Sequence, residues 1–97
     1  MLYIVQFEDK PDVAALRQKL FQSHLEFLDR NKDKVLVPGG LRDAADRPVG
    51  GLWIVEAEDE AGVRQVFEHD PFWVNGLRAG HRINRWLKAF PERKVEI

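Results

Sequence analysis

The chain contains no cysteine, which removes disulfide bridges and thiolate metal sites and fits a reducing, cytoplasmic setting. Nothing in it approaches the roughly 20 consecutive apolar residues of a membrane span, so no membrane partner is expected. Charge of neither sign dominates: 15 basic and 16 acidic side chains leave a formal net charge of -1. A nucleic-acid partner therefore has no electrostatic footprint to meet. Glycine-rich phosphate loops are missing as well. Gly39-Gly40 and Gly50-Gly51 fit neither the dinucleotide nor the nucleoside-triphosphate spacing, and no nucleotide cofactor is expected. The three histidines, His24, His69 and His81, lack a ligand spacing such as His-Glu-x-x-His, so no dedicated metal site is expected either. Internal repeats and low-complexity segments are absent.

At 97 residues the chain fits a single domain, residues 1–97. A domain this small buries only roughly 60–65% of its unfolded surface, so association with a second copy would help it. Leu2 to Phe7, rich in β-branched and aromatic residues, reads as a first strand; it lacks the basic leader and length of a signal peptide. Asp9 and Pro11 offer a helix start, with Asp12 in the first turn. Val13, Leu16, Leu20, Phe27 and Leu28 mark one buried stripe, and His24 falls near its middle. The helix is expected to fade around Asn31 to Lys34.

Val35 to Val37 reads as a short second strand ended by Pro38-Gly39-Gly40, and Arg42 to Pro48 as an exposed hairpin loop. A third strand covers Val49 to Ala57, with Gly50-Gly51 placed to bulge it. Asp59 can cap a second helix whose inner face is Val63, Val66 and Phe67 and which ends near His69, since a residue before proline disfavours the helical region. Phe72 to Leu77 is a short turn or helix. His81 to Phe90 is the fourth strand, and a charged tail follows. The order β-α-β-β-α-β implies an α+β, ferredoxin-like fold with an antiparallel sheet and both helices on one face. The strands are apolar on both faces, so the second sheet face is expected to pack against a second copy.

The stretch Glu68-His69-Asp70-Pro71-Phe72-Trp73 puts a carboxylate where the helical phase of Val63 and Phe67 would bring an apolar residue. His24 and Asp70 thus aim at one helix–sheet interface from different helices. A carboxylate beside an imidazole sets its tautomer and raises its basicity, which suits a general base or proton shuttle. Two bland alternatives stand beside this: Asp70 before Pro71 is a good helix cap, and His24 can be a satisfied core histidine. Arg78, Arg82, Arg85 and Lys88, interleaved with Trp86 and Phe90, read as a solvated strand with snorkelling arginines. Trp53, Trp73 and Trp86 suit a core or an interface, with Trp73 near enough to Asp70 to line a pocket.

Taken together, Met1-Leu2-Tyr3-Ile4-Val5, His24-Leu25, Gly39-Gly40-Leu41, and Asp70-Pro71-Phe72 with Gly76-Leu77 resemble the YCII-related family of small bacterial proteins, over nearly the whole chain. The resemblance implies a dimeric α/β barrel and an active site formed by a histidine and an aspartate, here His24 and Asp70. It also implies cofactor-free proton transfer or elimination on small, often hydroxylated aromatic compounds. The wider superfamily includes lactone isomerases and small monooxygenases. Family members often carry Gly-Pro after the second strand, where this chain has Gly39-Gly40, which alters that pocket wall. Gly40, Phe72 and Trp73 are the expected substrate-contacting residues. The expected function is isomerase or lyase chemistry on a small cyclic compound without a cofactor. The alternative is a non-catalytic dimeric module that binds a small molecule or serves as an accessory subunit.

Overall fold

A computed structural model describes residues 1–97. The elements run β1 (Leu2–Asp9), α1 (Ala14–Arg30), β2 (Val35–Arg42), β3 (Pro48–Glu56), α2 (Glu60–Phe67), α3 (Pro71–Val74) and β4 (Arg78–Trp86). The strands form one antiparallel sheet in the order β2-β3-β1-β4. This is the ferredoxin-like α+β arrangement. None of the helices is long and apolar enough to cross a membrane.

Alternation decides which side of the sheet is covered. Tyr3, Val5 and Phe7 of β1, with Trp53 and Val55 of β3, pack beneath Phe27 of α1 and Val63, Val66 and Phe67 of α2. Their in-between neighbours Leu2, Ile4, Leu52 and Ile54 lie on the opposite face, only half-buried. Asp59 caps α2 as its sequence suggests, its carboxylate accepting from the Gly62 amide at 2.8 Å. That helix ends at Phe67.

Several elements differ from the sequence reading, each for a tertiary reason. α1 does not begin at the Asp9–Pro11 signal: Asp9 stays in β1, Asp12 takes a left-handed φ of 58°, and the N-cap is Val13, without a side-chain cap. The Asp9 carboxylate serves two arginines instead of helix amides. Val13, Leu16 and Leu20 are only half-buried, and Val13 borders an open cleft rather than the core. In α1 only His24 and Phe27 are buried.

β2 continues through Pro38-Gly39-Gly40 to Arg42. It is an edge strand, where a missing proline donor interrupts no second ladder. Gly50 and Gly51 stay in register with β1, while against β2 the register shifts between Leu41 and Arg42, which pair with Gly50 and Pro48, so β3 is irregular beside Gly50 near the loop. A Cβ on Gly50 would overlap the Phe7 carbonyl, so the glycine serves a close backbone approach. β4 begins at Arg78, earlier than expected, and stops at Trp86, leaving Phe90 in the irregular tail.

Candidate active site

His24 and Phe27 are one turn apart on α1, so both side chains face the sheet. Beyond α2 the chain reverses at Asp70, whose extended backbone (φ -66°, ψ 131°) stops one helix and starts the next. Asp70 Oδ1 accepts from the Phe72 amide at 3.2 Å, with Pro71 in the first turn of α3. The same oxygen lies 2.7 Å from His24 Nδ1. The helix-cap use of Asp70 and its contact with His24 thus coexist. Both groups are buried, Asp70 at 1% exposure and His24 at 7%.

A carboxylate only accepts, so the hydrogen of a neutral His24 belongs on Nδ1 and Nε2 keeps its lone pair. The ring stacks on Phe72 with centroids 3.8 Å apart and planes 8° from parallel. Its position is therefore fixed from two sides, by a hydrogen bond and by a flat apolar support.

A second ionic group adjoins this pair. Asp9, at the end of β1, accepts from Arg78 Nη1 at 2.7 Å through Oδ1 and pairs with Arg17 through Oδ2. Arg78 is buried, 4.6 Å over the Phe7 ring and 5.2 Å over Phe72, and Arg17 is 5.0 Å over Phe72. Burial pulls the Arg78 pKa below its ordinary value, while the hydrogen bond and charge of Asp9 oppose that shift. A guanidinium stays charged under such conditions.

His24, Arg17, Arg78, Trp53 and Gly39-Gly40 line one partly open cavity of about 190 Å³. A cleft of about 1090 Å³, beside the turn between β1 and α1 and the hairpin between β2 and β3, adjoins it and shares Arg17 and Phe21. An engineered apolar cavity of roughly 150 Å³ holds benzene, so the smaller space is of one-ring size.

Of the residues singled out in the sequence, His24 and Asp70 touch, and Gly40 lines the cavity with His24. Phe72 is fully buried behind the imidazole and Trp73 packs on Phe67 and His81, with ring centroids 4.8 and 5.3 Å away. Neither lines this cavity. His69 is exposed, its Nδ1 2.7 Å from the Gln65 carbonyl, so the three histidines serve separate surroundings.

The sequence reading missed Asp9, Arg17 and Arg78, and it put Arg78 on a solvated strand where the structure buries it. A signal existed in Gly51. A Cβ there would stand 3.2 Å from Arg78 Nη2, and a glycine inside a strand marks such an approach.

A family model described as the YCII-related domain matches residues 1–87. Among solved structures, the chain resembles 5-chloro-2-hydroxyhydroquinone dehydrochlorinase (TftG) from Burkholderia phenoliruptrix AC1100, determined with 2,5-dihydroxybenzoquinone. The two are 30% identical, with a TM-score of 0.81 over 90% of this chain and 94% of the other. SnoaB, a cofactor-independent oxygenase from Streptomyces nogalater, is 16% identical with a TM-score of 0.53, over 94% of this chain and 96% of the other, a likeness of fold alone. No curated protein sequence matches the chain.

Proposed function

The chain belongs to the YCII-related domain family, and from that premise we propose that it is a small-molecule enzyme in which His24 and Asp70 perform cofactor-independent proton transfer. The substrate class is a small hydroxylated aromatic or cyclic compound, and the reaction an isomerisation or an elimination. One observation carries this reading: a buried imidazole is held by a carboxylate at 2.7 Å while its ring borders a cavity of one-ring size. The likeness to a dehydrochlorinase of a chlorinated hydroxyhydroquinone supports the choice of substrate class.

In the proposed reaction, His24 Nε2 takes a proton from the substrate, and Asp70 keeps the ring oriented and offsets the charge of the imidazolium. The electron pair left on the substrate either expels a leaving group as an anion or shifts along the ring system. In the second case the imidazolium returns the proton at a different atom. Positioned acid–base groups contribute typically ~100- to 10,000-fold to a rate, which sets the loss expected when His24 is removed. We further propose that Leu2, Ile4, Leu52 and Ile54, on the uncovered sheet face, pack against a second copy of the chain.

The test is turnover of chlorinated hydroxyhydroquinones and small lactones, followed by halide release and ultraviolet absorbance in the presence of a chelator. Activity is expected in the wild type, with a fall of roughly 100-fold or more in His24→Ala. Full activity in that variant would end the proton-transfer reading, and binding of the ring without turnover would make the chain a binding module. Sedimentation of the wild type as a monomer at micromolar concentration would refute the paired sheets.

A further inference from the structure

We infer that Arg78 is the oxyanion-binding residue of the His24 cavity, so that the site takes a one-ring compound carrying an ionised oxygen: a phenolate, an enolate or a hydroxyquinone anion. This deepens the proton-transfer reading and rests on it for the role of His24.

The first support is an imbalance of hydrogen bonds. A buried cation is costly unless its donors are used. Arg78 is 8% exposed, yet only Nη1 has a hydrogen-bond partner, Asp9 at 2.7 Å. Its Nε is buried without any partner. Folding alone would not leave a desolvated guanidinium with donors to spare, because nearly all buried polar groups in proteins are paired.

The second support is position. Arg78 lines the same cavity as His24. Gly51 lets the guanidinium pack close against the β3 backbone at the cavity wall, since a Cβ there would lie 3.2 Å from Nη2. Asp9 fixes the guanidinium from the other end while also holding Arg17. Asp9 is thus a positioning residue, and both arginines share a single carboxylate.

Charge is the third. When His24 holds a proton, three cations (Arg17, Arg78 and His24) stand with two carboxylates, Asp9 and Asp70. One negative charge is then missing, and an ionised substrate oxygen supplies it. Deprotonation breaks the O–H bond of a ring hydroxyl and forms N–H at His24 Nε2. The electron pair remains on the oxygen, where a charged, largely desolvated donor holds it more strongly than water would.

The experiment uses 4-nitrophenol, whose phenolate absorbs visible light and whose phenol does not. It is titrated with the full-length wild type, Arg78→Gln, Arg78→Lys and His24→Ala at a pH where the free probe is mixed. The wild type is expected to bind the phenolate and increase its fraction. Arg78→Gln is expected to weaken phenolate binding roughly tenfold or more, with Arg78→Lys between the two. His24→Ala is expected to weaken phenolate binding less than Arg78→Gln, because it removes the proton acceptor beside the ring but leaves the guanidinium that holds the oxygen.

Phenolate affinity unchanged in Arg78→Gln overturns the assignment, as does a wild type that binds neither form or prefers the neutral phenol. Should Arg78→Gln fail to fold, competition on the wild type decides: benzoate is expected to displace the probe and the isosteric benzamide is not, and equal displacement overturns the inference. The two readings fail separately. Full turnover in His24→Ala removes proton transfer and leaves the anion site. Lost turnover in His24→Ala with intact phenolate binding in Arg78→Gln removes only the anion site.

Discussion

Phe67 and Asp70 are three residues apart and each is 1% exposed, yet they sit in two differently built parts of one helix–sheet layer. Around Phe67 the neighbours are rings: Phe7 at 5.4 Å, Trp73 at 4.8 Å and His81 at 5.2 Å between centroids. Around Asp70 are His24, the Phe72 amide and, within reach of its charge, Arg78. Exclusion of water does different work in the two places. Near Phe67 it holds the layers together through the hydrophobic effect. Near Asp70 it strengthens every ionic contact, which favours an arrangement that moves protons over one that merely coheres.

Breaking the aromatic half should cost the fold first. Phe67→Ala is expected to destabilise by about 3–5 kcal/mol, read as a fall in the denaturant midpoint, because a large cavity opens under α2. His24→Ala should do the reverse: turnover of a ring substrate falls roughly 100-fold or more while the midpoint moves far less than in Phe67→Ala. If both variants lost stability alike, the two halves would be one core and the contrast would fail.

Asp70 divides more finely. Asp70→Ala removes a cap and half of a buried pair and should cost about 1–3 kcal/mol. Asp70→Asn retains a good cap, so its melt should lie nearer the wild type while turnover still falls. Equal melts for the two variants would show that the cap contributes nothing to stability.

The smallest effect belongs to Asp43, in the hairpin loop, where it lines the outer cleft. The Arg47 backbone amide, the Arg47 side chain and the Ala45 amide hold its carboxyl below the ordinary value of 3.8. A depressed carboxyl stabilises the fold above its unfolded value, and that contribution disappears as pH falls through the folded one. Asp43→Asn should therefore lose only a slight part of the acid limb of the stability profile, and salt should shrink even that. A large change would mean the loop supports the site.

Local patterns carried much of this into the sequence. The alternation in β1 and β3, the cap at Asp59 and the Asp70-Pro71 turn all act within a few residues, so composition exposes them. The inward phase of His24 was equally legible, and it is what brings Nδ1 to Asp70. The arginine cluster was hidden for the opposite reason. Asp9 resembled a helix cap because its real partners, Arg17 and Arg78, are 8 and 69 residues away. Arg78 resembled its exposed neighbours Arg82 and Arg85, and only the space above Gly51 distinguishes it. The course of β2 through Pro38 depended on its edge position, a property of the whole sheet.

One atom, Asp70 Oδ1, is shared by the His24 ring and the Phe72 amide. That sharing turns α3 into a natural gauge of the His24–Asp70 contact. A movement of the imidazole that pulls the carboxylate with it must loosen its hold on the Phe72 amide. The hydrogen–deuterium exchange rate of that single backbone position is therefore expected to change when the imidazole moves.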